Sequence, residues 1–172
     1  IGERRNRNRW TLAVAGVTDP MAQTSNDFHR SEHWSVLSRT TFAPIARRRT
    51  VIHFGASAEF RDVINDSTYS ISARPESGLA PPVVRTGGLA DVDTMVGVGA
   101  EAAALFGPVL LQGEYRRAFL QRDAGRPDPS FDGGYVQASW VVTGERRQYN
   151  RNAGLFEGVS PRSDWGAVEL AV

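Results

Sequence analysis

The sequence predicts an all-β protein, with antiparallel transmembrane β-barrel strands forming part of a barrel wall. Three observations carry this prediction. Apolar residues recur at every second position, the alternating runs approach about ten residues, and short Pro/Gly turns share the chain with long polar connections. Strands of soluble sheets are usually about five or six residues long, whereas a tilted strand needs about ten to cross a bilayer.

Residues 10–17 and 35–43 show the alternation weakly, and residues 50–61 show it clearly. There Ile52, Phe54, Ala56, Ala58 and Phe60 fall on one face, and His53, Gly55, Ser57, Glu59 and Arg61 on the other. Residues 94–106 and 109–120 follow. In residues 135–143, Val136, Ala138, Trp140 and Val142 oppose Tyr135, Gln137, Ser139 and Thr143, with only Val141 apolar on the second face. A last run spans 165–172. Trp10, Trp34, Phe42, Phe60, Phe106, Tyr115 and Trp165 fall near strand ends, the height of a barrel's aromatic girdles.

Proline predicts turns at 43–46 and 106–108, because it cannot donate to a strand ladder. Residues 18–33, 62–91 and 121–134 read as long connections on the opposite side, while 144–163 is long but fits that pattern less well. Strands 50–61 and 94–106 already form an up-and-down pair between the two short turns. The strand-like run 67–73 then belongs to one long external loop, 62–91, that does not cross the membrane.

Composition excludes little by itself: 41% hydrophobic and 23% charged residues are ordinary values. No run approaches the roughly 18 apolar residues of a membrane helix, which says nothing against strands. Without cysteine there is no disulfide, thiolate metal site or cysteine nucleophile. The net charge is +1, yet all 20 basic residues are arginine. A GC-rich genome explains this blandly; functionally, guanidinium groups bind oxyanions in a bidentate way that lysine cannot match. The start at Ile1 and the end inside a strand suggest a single domain, residues 1–172, cut at both ends.

Three motifs compete with a channel. His29, Glu32 and His33 fit the H-x-x-E-H pattern of zinc hydrolases, which needs a helix that this polar stretch does not predict. Residues 97–102 match G-x-G-x-x-A, but no buried strand precedes them and no βαβ alternation follows. The basic runs 4–9 and 47–49 lack the interleaved aromatics of a nucleic-acid surface and suit a barrel rim. The reading is therefore no enzyme, no cofactor, no metal and no nucleic acid. A soluble β-sandwich binding module is the alternative that alternation alone leaves open.

Segments 107–115 and 134–145, together with the closing residues 165–171, resemble the phosphate-selective porin O and P family. Residues 53–58, 74–77 and 90–93 fit the same family in the same order. The resemblance covers most of the chain from about Trp10 onward. It implies about seven or eight strands of a sixteen-stranded outer-membrane porin, assembled as a homotrimer in bacterial outer-membrane lipid. Such a porin passes small anions, phosphate or polyphosphate among them, through an arginine- and lysine-rich lumen narrowed by inward-folded loops. The absence of lysine departs from that pattern.

If the more apolar face meets lipid, the other face lines water. This places Arg39, Glu59, Arg61, Glu101, Gln112, Glu114, Arg116, Gln137 and Glu169 inward. Arg39 lies mid-strand, either open to an anion or neutralised by a carboxylate such as Glu59. Arg74 and Arg85 lie on the proposed constricting loop. The expected pore-lining and anion-binding set is Arg39, Arg61, Arg74, Arg85, Arg116, Glu59 and Glu114.

Overall fold

The computed structural model describes residues 9–20, 32–63, 69–70, 72–73, 84–123 and 125–172. Along the chain run β1 (Trp10–Pro20), β2 (Glu32–Ala46), β3 (Thr50–Asp62), β4 (Ser72–Ala73), β5 (Val84–Arg85) and β6 (Val92–Phe106). They are followed by β7 (Val109–Arg122), β8 (Ser130–Val141), β9 (Arg147–Asn150), β10 (Leu155–Val159) and β11 (Glu169–Ala171). Seven of them form one antiparallel sheet in the order β1-β2-β3-β6-β7-β8-β11.

Apart from the three-residue β11, these strands run from 11 to 15 residues. They outlast the alternating pattern because the ladder continues into polar ends. In β8, Ser130, Asp132 and Gly133 already pair with Phe119, Arg117 and Arg116. The closing run is shorter than its pattern, with Trp165 exposed outside any strand.

The first short turn is displaced. Pro44 does not turn the chain but lies inside β2, where the register slips between Phe42 and Ile45. A bulge leaves an unpaired position in the ladder, and proline has no N–H to waste there. The reversal comes at Arg47–Arg49, closed by the Arg47 amide donating to the Thr50 carbonyl at 2.8 Å. The second turn stands as expected: Gly107 takes φ +58 and Pro108 follows, joining β6 to β7 in two residues. That conformation is open to glycine at little cost.

The loop count is also as expected. β3 pairs along its whole length with β6, so 62–91 is one connection that leaves and rejoins the same end of the sheet. Among the described residues its short pieces β4 and β5 pair with each other and with no strand of the large sheet. The other departure is residues 142–168. They leave β8 at the short-turn end and fold β9 and β10 into a hairpin.

The sheet has two unlike faces. Val96, Val98, Ala100, Ala102, Phe106, Leu111, Phe119, Val136 and Trp140 lie exposed on one of them. Trp10 stacks on Phe42 at 4.3 Å between ring centroids, and Trp34 meets Phe60 at 5.4 Å, toward opposite ends of this face. Tyr115 sits mid-strand rather than at an end, in register with Ala100. Charge interrupts this face toward the long-connection end, at Arg117 with its register partner Asp132 and at Asp62; Arg117 lies 5.0 Å from the Phe119 ring and donates to Ser130. The opposite face is polar in its middle and carries two apolar clusters. Val63, Val92, Met95 and Leu120 pack under Tyr69 and Leu89 at the long-connection end; Val51, Leu105 and Leu110 pack under Tyr149 and Phe156 at the short-turn end.

Candidate functional site

Register places the charged residues of the polar face in one field. Arg39 stands opposite Ser57, Ser57 opposite Gly99, and Gly99 opposite Arg116. The next inward row reads Thr41, Gly55, Glu101, Glu114 and Tyr135. Gly55 has no side chain, and a Cβ there would collide with the Glu101 carboxylate. That gap lets Glu101 reach from β6 across β3 to β2.

Its Oε2 accepts from Arg39 Nε at 3.3 Å, and its Oε1 accepts from Arg39 Nη2 and from His53 Nε2, the latter at 2.7 Å. An ionised carboxylate can only accept, so His53 Nε2 carries the proton. In the neutral ring, Nδ1 then accepts the Tyr149 hydroxyl at 2.9 Å. Arg39 uses its remaining donors on the β9–β10 turn: Nη1 to the Ala153 carbonyl at 3.2 Å and Nη2 to that of Gly154 at 2.9 Å. His53 is 4% exposed and Arg39's side chain 34%. Arg39 is thus neutralised as one expectation had it, but by Glu101 and not by Glu59.

Glu59 instead holds Arg61 two residues along β3, Oε1 to Nη2 at 3.0 Å. Arg116 is exposed and makes no ion pair among the described residues. Glu114 is half-buried beside Glu101. Arg85 lies in β5, its side chain outside the description, and Arg74 lies outside the described residues. Of the segment 62–91, Tyr69 and Leu89 pack on the polar face beside Met95 and Leu120.

The competing motifs separate as well. Glu32 and His33 belong to a strand, not the helix that a zinc peptidase requires, and His29 lies outside the described residues. Gly97 to Ala102 run through the middle of β6, not through a turn opening a helix.

Two features escaped sequence reasoning. One is the hairpin with its Tyr149 contact; the apolar Leu105, Leu110 and Val141 on the polar face were its signal, since they needed a cover. The other is a basic mouth at the short-turn end. A cavity of about 170 Å³ is lined by Arg47, Arg48, Arg146, Arg151, Gln148 and Tyr149, among others. Burial, and then repulsion from Arg48, Arg162 and Arg49, push the Arg146 guanidinium below its ordinary range. Arg47, Arg48 and Arg146 meet no carboxylate among the described residues. Just beside them, Glu145 is held below the usual carboxylate range by a hydrogen bond from Thr143, with the Arg162 amide donating at 3.2 Å.

A sheet of long antiparallel strands, apolar and exposed on one side and charged on the other, is the wall of a membrane β-barrel. Over residues 2–172 the chain belongs to the family of phosphate-selective porin O and P. It is 29% identical over 153 residues to Porin O of Pseudomonas aeruginosa, covering 77% of this chain and 34% of that protein. The chain thus spans about a third of the length of that curated relative.

Proposed function

We propose that this chain forms part of the wall and lumen of a bacterial outer-membrane channel through which small anions, phosphate-like ones among them, diffuse passively. The complete protein works, on this proposal, as a homotrimer in outer-membrane lipid, without catalysis or cofactor; its assembly and location rest on family membership. Lipid meets the apolar face, while Arg39, Arg61, Arg116, Glu59 and Glu114 look into water, with Arg74 and Arg85 on a loop whose base leans the same way.

The observation that carries the proposal is the division of charge on the polar face. Arg39 and Arg61 are each held by a carboxylate, so they contribute structure more than attraction. Among the described residues, Arg116 and the mouth formed by Arg47, Arg48 and Arg146 meet no carboxylate. A row of guanidinium groups spaced along a wet passage offers successive weak sites, which conduction requires. The neighbouring carboxylates suit a pore of graded rather than absolute anion preference.

The test is the reversal potential of the complete protein in a planar bilayer under a salt gradient, repeated with added phosphate. Anion-directed reversal with block by phosphate is expected. Weak selectivity without block would remove the phosphate preference while keeping the pore, and an absence of any conductance would sink the proposal.

A further inference from the structure

The β9–β10 hairpin does not lie free at the mouth: Arg147 at its base holds Glu169 of β11, the Arg151 guanidinium donates to the Ala46 carbonyl, and two further attachments, at and beside its turn, run through one carboxylate. Resting on the channel reading above, we propose that Glu101 is the positioning residue that seats this hairpin on the lumen wall, thereby setting the local aperture and withdrawing Arg39 from the anion path.

The turn of the hairpin, residues 151–154, is held by Arg39, whose Nη1 and Nη2 donate to the Ala153 and Gly154 carbonyls. A free arginine side chain samples many rotamers, and gripping two carbonyls would cost it that freedom. Glu101 meets this cost beforehand, since a two-point contact with Nε and Nη2 fixes the plane of the guanidinium. Beside the turn the hairpin is held by Tyr149, whose hydroxyl hydrogen-bonds His53 Nδ1 at 2.9 Å and donates to it when the ring is neutral. Glu101 fixes that partner too, by accepting from the other ring nitrogen and so setting the tautomer.

The surroundings are shaped for the seat. Gly55 leaves the space through which the carboxylate crosses β3. Gly154 takes φ +60 and presses so close to Thr41 that a Cβ would overlap its hydroxyl, with the Thr11 hydroxyl 2.9 Å away. Between turn and base, Tyr149 and Phe156 cover Val51, Leu105 and Leu110, which would otherwise be apolar residues facing water. Apolar cover alone would let the hairpin slide, because it is non-directional; the fixed donors choose one position.

The consequence for charge is specific. While Glu101 is ionised and bound to Arg39, the pair adds little net field to the passage. Replacing the carboxylate by an amide of the same shape leaves the Arg39 charge uncompensated and loosens both attachments.

The experiment compares the complete protein with its Glu101→Gln variant in planar bilayers, reading single-channel conductance and reversal potential. Gly154→Val serves as a second, independent route to undocking, because it touches no charge. Trypsin cleavage at Arg151 in the hairpin turn reports docking directly. Glu101→Gln is expected to raise conductance by roughly twofold, to shift reversal toward anions and to speed cleavage at Arg151. Gly154→Val should raise conductance and speed cleavage without the shift in selectivity. A Glu101→Gln protein that inserts and migrates as wild type, with unchanged conductance and protected Arg151, would overturn the seat. Failure of the wild-type protein to conduct would instead remove the channel reading on which the seat rests.

Discussion

Whether an arginine on the polar face can attract an anion depends on what it already holds. Arg61 lies against Glu59, and both side chains remain partly exposed. Such a pair is worth about 0–1 kcal/mol, so breaking it should hardly change stability. Arg116 has no such partner among the described residues. Arg116→Ala is therefore expected to shift the reversal potential away from anions, and replacing Glu59 and Arg61 together by Ala to shift it far less, since that double variant removes a neutral pair. Equal shifts in the two variants would show that local pairing does not decide availability. The same distinction explains what could be read of the site beforehand. Alternation alone put Arg39, Glu59, Arg61, Glu101, Glu114 and Arg116 on one face, because period two fixes sidedness whatever the register. Partners were another matter. Arg39 stands opposite Ser57, with Glu59 diagonal to it, and finds Glu101 two strands away because Gly55 leaves the way open. Register and the absence of one side chain are not visible in a pattern of apolar and polar letters.

For the strands, pattern located every member of the sheet but not all of its ends. The alternating runs fell inside β1, β2, β3, β6 and β7, while the ladder extended past them wherever polar residues could still pair. Proline misled at 43–46 because a bulge accommodates it as well as a turn does. Pro44 falls where the β2–β3 register slips, and the neighbouring Ala43 amide instead donates to the Arg9 carbonyl at 2.8 Å. Pro44→Ala is accordingly expected to change stability by no more than about 0.5 kcal/mol, since no hydrogen bond awaits the restored N–H. A loss well beyond that, measured as a lower temperature for conversion of the heat-modifiable form, would mean that the proline's rigidity holds the bulge. The hairpin was illegible for a simpler reason. Its strands have four and five residues, too few for a period to emerge, and their burial comes from landing on the sheet and not from their own sequence.

Taken whole, the molecule inverts the usual placement of polarity: large apolar strand residues stand exposed, while charged ones such as Arg39, Glu59, Arg61 and Glu101 are partly buried. Leu12 is 75% exposed and Val136 77%, whereas His53 is 4%. In water, such an apolar surface would be a standing liability for aggregation. In a bilayer it is the solvent-matched face, and the penalty falls on charge instead. Ala100 tests this at the centre of β6, on the apolar face and in register with Ala56 and Tyr115. Ala100→Arg should cost about 2–4 kcal/mol, the depth-dependent penalty for a cation at mid-bilayer, and should lower the yield of heat-modifiable barrel. Gln112 supplies the matched control on the polar face, where it donates to Gln137 at 3.1 Å. Gln112→Arg places the same group one inward position from Glu114 and should leave assembly intact while strengthening anion preference. Were the sheet half of a soluble sandwich, both faces would tolerate or reject arginine according to packing alone, and Ala100→Arg on the exposed face would be the milder change. The ranking of the two variants therefore decides between a wall facing lipid and a sheet facing water, independently of any measurement of current.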